Sequence, residues 1–364
     1  MHWSLFICFI VYSFIINCSM TTAKLNIKKK RPLFFIINKE NFICNMLSVA
    51  VIALIIIILS NPSKYNASIS NGLKLFIVAV LPGLFPFMFL TKLLTSLGTV
   101  KKMSVKLTPI TSFLFNTNGI SSYVFILSIL SGYPIGAKLI SDLYSAGAID
   151  KTDAKRMISF CTTSGPIFII GSVGATMFGS AKIGIILYIA HILSSIICGI
   201  LFSGKRNKKD SSTAQTFNDL KMPDNLFGST MANTVESIFL VGAYITIFFL
   251  FADILTNIGI FSYLIAPLNK LLSLLKISPV ADGIIYGLLE VTRGCSTFSQ
   301  NINIWSVCFA CSTISFSGIS IILQSMHFLN KCKIKARYFI GVKCVHAIIS
   351  FFICLLICCV TNLF

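Results

Sequence analysis

The sequence predicts an all-α polytopic membrane protein, with about eight transmembrane helices and two re-entrant hairpins arranged as two inverted repeats. Three observations lead there. Hydrophobic residues fill 55% of the 364 positions and charged residues only 11%, with a mean hydropathy of +0.88, whereas soluble domains carry about a quarter charged residues. Apolar stretches recur along the whole chain, and at about 1.5 Å per residue each approaches the ~30 Å hydrocarbon thickness of a bilayer. Landmarks of the first half also return in the second half in the same order.

Residues 1–45 read as an N-terminal extension. Residues 3–19 are apolar, no basic residue precedes them, and the cluster Lys28, Lys29, Lys30 and Arg31 follows. That charge order is the reverse of a cleavable signal peptide, so a short anchor helix with its N-terminus outside is expected. A gene start at Met46 stays open as the alternative. Spans are then expected at residues 46–60, 72–94, 154–178, 183–203, 231–255, 304–326 and 338–360. Two further apolar segments are interrupted. Residues 119–148 contain Ser131-Gly132-Tyr133-Pro134-Ile135-Gly136, and residues 282–303 contain Glu290-Val291-Thr292-Arg293-Gly294. Glycine, proline and charge at mid-membrane depth require shielding by protein or a water-filled cavity, so both segments are hairpin candidates. Residues 204–228 are polar and basic, and form the expected cytoplasmic linker between a first half, 46–203, and a second half, 229–364.

The halves share four landmarks. Leu93 to Gly98 resembles Ile254 to Gly259, Gly136 answers Gly294, Ser164-Gly165 answers Ser317-Gly318, and His191 with Ser195 answers His346 with Ser350, at offsets of 153 to 161 residues. The implied unit is a span, an interrupted segment, a broken span and a final span. The positive-inside rule puts the basic clusters at Lys28 to Arg31, Lys101 to Lys106, Lys205 to Lys209 and Lys331 to Arg337 on the cytoplasmic side. Residues 72–94 then run inward and residues 231–255 outward, which inverts the halves. Lys270 and Lys276 fall outside in this scheme; the alternative makes residues 261–275 a further span.

Inverted repeats with discontinuous helices bind solutes or ions at the breaks, where backbone groups are unpaired. The candidate binding residues are therefore Gly132, Tyr133 and Pro134 in the first interrupted segment, and Thr162, Thr163, Ser164 and Gly165 in the broken span that follows. In the second half they are Glu290, Thr292, Arg293 and Ser317. Glu290 and Arg293 are the most informative charges, because an ionisable group in an apolar segment costs several kcal/mol unless paired or hydrated. Three residues apart on a helix, they are expected to share a face and partner each other. Ser315 and Ser320 are expected nearby, and Asp282 is expected to cap the first arm of its hairpin. Glu236, near a span end, reads as a snorkelling carboxylate. His191 and His346 read as interhelical hydrogen-bonding groups rather than a pH-sensing pair.

The formal charge of +19 comes from clusters between apolar stretches, so it encodes topology and no nucleic-acid partner is expected. Thirteen cysteines include Cys308 with Cys311 and Cys354 with Cys358 and Cys359, all inside apolar runs without histidines or carboxylates around them, so they read as packing residues. No metal and no cofactor is expected. Nor is an enzyme, since the chain has no phosphate-binding Gly-rich loop ending in Lys-Ser or Lys-Thr, no His-Glu-x-x-His and no nucleophile elbow. The expected partners are the lipid bilayer and an unknown small-molecule or ion substrate.

The runs SGYPIGAKLISDLY, Ser131 to Tyr144, and SFCTTSGPIFIIGSVGATMFGS, Ser159 to Ser180, resemble the signature of the YlbJ family of sporulation integral membrane proteins. GLLEVTRGC, Gly287 to Cys295, is similar to that family's second, glutamate-containing motif, with Arg293 where an uncharged residue is expected. The resemblance covers roughly residues 46–360. It implies the Gate, or nucleoside-recognition, domain group, with a nucleoside-transporter-like core. It also implies an endospore-forming bacterium, a multi-pass place in the mother-cell or forespore membrane, and a role in making the spore cortex beside other sporulation membrane proteins. Function is then expected to be that of a secondary-transporter-like permease for a small solute. A non-transporting scaffold for cortex assembly and a nucleoside carrier are the alternatives, because fold-level analogy does not identify a ligand.

Overall fold

A computed structural model of the chain describes residues 39–97, 99–117, 119–204, 225–277 and 279–362. The expected anchor and the cluster at Lys28 to Arg31 lie outside the described residues, as does most of the linker. The described residues fall into two compact units, one ending at Ala67 and the other beginning at Ser68. In the first, α1 (Lys39–Ser60) is an apolar helix, and α2 (Pro62–Leu75) begins. All remaining elements belong to the second.

Every described element is helical, and no strand occurs among the described residues. After α2 the chain passes through a π-helical turn, Phe76–Val80, into α3 (Leu81–Ser96) and α4 (Thr99–Phe115). Next come α5 (Ile120–Ser131), α6 (Ile135–Ser145), α7 (Lys151–Cys161), a π-helical segment Ile167–Met177, and α8 (Ala181–Leu201). The second half contains α9 (Leu226–Asn257), α10 (Ile260–Leu274), α11 (Ala281–Leu289), α12 (Val291–Phe298), α13 (Ile304–Phe316), α14 (Gly318–Leu329) and α15 (Ala336–Val360).

Among the described residues, five stretches are long and apolar enough to cross a bilayer: Pro62–Leu94, Ala181–Leu201, Leu226–Asn257, Ile304–Cys332 and Ala336–Val360. A sixth arises if Lys106–Phe115 and Ile120–Ser131, bent by 96°, count as one span. The protein is thus a helical, multi-pass membrane protein. Both interrupted segments are broken where glycine, proline and charge predicted it. The broken span of the first half divides at Thr162–Gly165, and the corresponding span of the second half divides at Ser317. Two differences from the sequence reading stand out. The basic stretch around Lys101 to Lys106 is part of a helix, α4, whose apolar residues at 107, 110 and 114 recur at helical spacing. The alternative extra span, residues 261–275, is a helix, but its 15 residues fall short of a bilayer's thickness.

The long helices sort their side chains by solvent. On α8, Ile185, Ile189, Leu193 and Ile197 are exposed at intervals of four, and on α15 Ile348, Phe352, Leu356 and Val360 repeat the pattern. Such stripes face hydrocarbon at no cost. The opposite faces carry His191, Ser194 and Ser195 on α8, and Lys343, His346 and Ser350 on α15, all buried. Helix α15 packs between α13 and α8, which brings these polar faces into the centre of the second unit.

Candidate functional site

The first break follows from a residue that cannot continue a helix. Helix α5 stops at Gly132, whose φ of 74° and ψ of −163° suit glycine alone. Pro134, which has no N–H to leave unpaired, stands at the start of α6. The second break opens after α7, itself capped by Asp150, which accepts from the Asp153 amide at 2.6 Å. The chain between α7 and the π-helical segment leaves helical hydrogen bonding, and side chains take over. The Thr163 amide donates to Ser128 Oγ at 3.2 Å, and the two hydroxyls are 2.8 Å apart. The Ser164 amide donates to His191 Nε2 at 2.9 Å. The two breaks touch through glycine: a Cβ on Gly132 would lie 2.5 Å from the Gly165 nitrogen.

Those partners assign the histidine tautomers. His191 Nε2 accepts, so Nδ1 carries the hydrogen and donates to Ser315 Oγ at 2.8 Å. His346 Nε2 lies 3.1 Å from the His191 carbonyl, which can only accept, so that nitrogen is a donor. The rings stack with centroids 4.9 Å apart. Both act as interhelical struts, as read from the sequence, and His191 holds open backbone in place.

In the second half, the break between α11 and α12 is Glu290, in extended conformation and 1% exposed. Its carboxylate caps α12, accepting from the Thr292 amide at 3.0 Å and the Arg293 amide at 2.7 Å. The expected Glu290–Arg293 side-chain pair is not formed. An N-cap residue lies outside the helical phase and folds its side chain back over the first amides, so the two side chains do not share a face. Arg293 instead reaches α9, with Nη2 2.6 Å from Asp253 Oδ1 and Nη1 donating to the Phe249 carbonyl at 3.1 Å. Its guanidinium lies 4.3 Å and 4.2 Å from the ring centres of Phe249 and Tyr286. Asp282 sits in the first turn of α11 and makes no capping bond there, because Val280 is the N-cap residue. Glu236 is exposed, as expected for a snorkelling group.

All these breaks wall one cavity of about 50 Å³. Gly132, Tyr133, Ser164, Gly165, Glu290 and Thr292 line it, together with Ser131, Ser320 and Gln324 and an apolar wall that includes Phe168, Val241 and Ile245. Five predicted site residues stand behind that surface or away from it. Ser317 donates to the Tyr133 hydroxyl at 2.6 Å, Thr162 and Thr163 support the open chain, Pro134 shapes the turn, and Arg293 is engaged with Asp253.

The sequence reading missed Lys343. It is completely buried about two turns into α15, where it passes for part of an apolar run. Its ammonium donates to the Tyr133 hydroxyl at 2.9 Å and to the Thr162 carbonyl, and lies 4.6 Å from the Tyr133 ring centre. No carboxylate among the described residues pairs with it. A lysine within a span costs roughly 2.5–3.5 kcal/mol. Two charge-assisted hydrogen bonds at about 1.5–3 kcal/mol each and a cation–π contact at about 0.5–2 kcal/mol offset that cost. The visible signal was a lone lysine inside the last span.

Away from the cavity, the sulfurs of Cys308, Cys354 and Cys358 lie within 4.8 Å of one another, all buried. Three thiols so placed are the described residues that could hold a thiophilic ion. They are surrounded by Val307 and other apolar groups of α13 and α15.

The chain is similar to the sporulation integral membrane protein YlbJ of Bacillus subtilis (strain 168), with 26% identity over 304 residues that cover 78% of this chain and 74% of the relative. That similarity supports the family assignment drawn from the three motifs. No family model matches the chain, and no solved structure matches it.

Proposed function

We propose that this protein is a permease in a membrane of the sporulating cell, moving a small solute or ion by alternating access between two inverted halves, 46–203 and 229–364. The proposal includes the eight spans and two hairpins of the sequence reading. One observation carries the proposal: unwound segments from both halves wall a single cavity that holds a buried carboxylate at a helix N-terminus. Broken helices persist inside a membrane only where something other than lipid meets their backbone. Within a mostly apolar wall, hydroxyls, an amide side chain and the Glu290 carboxylate supply the cavity's few acceptors, which suits a cation or a small solute bearing N–H groups. Its size favours a solute of few atoms over a nucleoside, since about 50 Å³ is far below the roughly 300–1,000 Å³ of pockets that enclose drug-sized ligands. The reading involves no covalent chemistry. Participation in sporulation is proposed from the relative's name, and a part in cortex formation from the family resemblance.

The test is a thermal-shift screen of the purified protein against inorganic cations, small amines, amides and nucleosides, followed by uptake of each stabilising compound into proteoliposomes. A hit should raise the melting temperature of the wild type by ~2–4 °C at saturating concentration. Glu290→Gln and Gly165→Leu, each first checked for folded, inserted yield, should abolish that shift and the uptake together. Stabilisation without uptake would overturn transport in favour of the scaffold reading, and a nucleoside as the only hit would overturn the size argument.

A further inference from the structure

Lys343 places its ammonium in the middle of the protein with no carboxylate beside it among the described residues. Its ligands are the carbonyl of Thr162, at the C-terminal end of α7, the hydroxyl of Tyr133, and the face of the Tyr133 ring. The Tyr133 oxygen also accepts from Ser317, in the break of the second half, so the ammonium stands where the discontinuities of both halves meet. A freed carbonyl at the negative end of a helix, a phenolic oxygen and a π-face form the set of groups that hold a free alkali or ammonium-type ion at a broken membrane helix.

We infer that the Lys343 side chain occupies a monovalent-cation site built from the breaks of both halves, a tethered ammonium standing where a dissociable alkali or alkylammonium ion would bind. A permanently attached occupant makes the junction independent of external sodium or potassium. Truncating the side chain should uncover a real ion site, because the Thr162 and Tyr133 oxygens then lose the only charged donor they have among the described residues. The site shares Tyr133 with the wall of the Glu290 cavity, but the Thr162 carbonyl lies outside that wall, and the ion response of Lys343→Ala is read without any transport, so this inference and the permease reading stand or fall separately.

The experiment compares wild type, Lys343→Ala and Lys343→Met, each purified full-length, by thermal unfolding in choline chloride and after replacing choline with sodium, potassium or methylammonium. Lys343→Ala should melt below the wild type in choline and recover ~2–4 °C in methylammonium or sodium. Wild type and Lys343→Met, whose sites remain filled by the lysine stem or the thioether chain, should not respond. If Lys343→Ala gives no folded protein in choline, methylammonium in the extraction buffer should restore the folded yield. An alanine variant that no monovalent cation stabilises or restores, or a response equal in all three proteins, would overturn the inference.

Discussion

At the scale of single residues, the site is organised by how three charges are neutralised. Arg293 satisfies its charge across the helix interface with Asp253, leaving Glu290 to the backbone of α12 and to the cavity. The Arg293 and Asp253 side chains are 14% and 23% exposed, so the pair lies between two regimes. Arg293→Ala should therefore cost more than the ~1 kcal/mol of an exposed pair and less than the ~3–5 kcal/mol of a fully buried one. Asp253→Asn combined with Arg293→Gln should recover part of that loss, which a double-mutant cycle of melting temperatures in detergent would measure. A double-variant loss equal to the sum of the two single losses would mean that the pair does not couple. The residue-level reading from sequence found Glu290 and Arg293 because isolated charges in apolar segments are conspicuous. It joined them to each other because proximity along the chain was the only proximity available. Asp253 is 40 positions away, and nothing local marks it as the partner.

At the scale of elements, the breaks depend on close backbone approach. A Cβ on Gly136 would lie 1.8 Å from the carbonyl oxygen of Cys161, so α6 could not keep its distance from the end of α7. Gly136→Ala should lower the melting temperature by several degrees, since backbone on both sides must move. Gly341, on α15, has nothing within 4 Å of the corresponding position. Gly341→Ala should be neutral or stabilising by up to ~1 kcal/mol, through helix propensity alone. A similar response of the two variants would refute the packing argument. Both interruptions were legible in the sequence, because Gly132 with Pro134 and the run Thr162 to Pro166 carry their breaking chemistry locally. Helix α4 was not, since its basic residues read as a link between spans. The three-cysteine cluster was half legible: Cys354 and Cys358 lie one helical turn apart on α15, while Cys308 comes to them only through the packing of α13 on α15.

At the scale of the whole molecule, the proposed inversion of the two halves can be tested directly. Reporter tags inserted after Leu94 and after Leu255 should be accessible from opposite sides of the membrane, and the same side for both would remove the inversion and alternating access with it. Hydropathy, charge clusters and helix-breaking residues are properties of short windows of chain. The sequence by itself therefore determined a multi-pass helical membrane protein with broken spans, and it located the broken segments. Only the tertiary structure decided that Arg293 answers Asp253, that Glu290 faces a cavity, that His191 holds the open backbone at Ser164, and that Lys343 reaches Tyr133 and Thr162. The reason is physical: in hydrocarbon every polar group must find a partner inside the protein, and which partner it finds is set by the packing of helices distant in sequence.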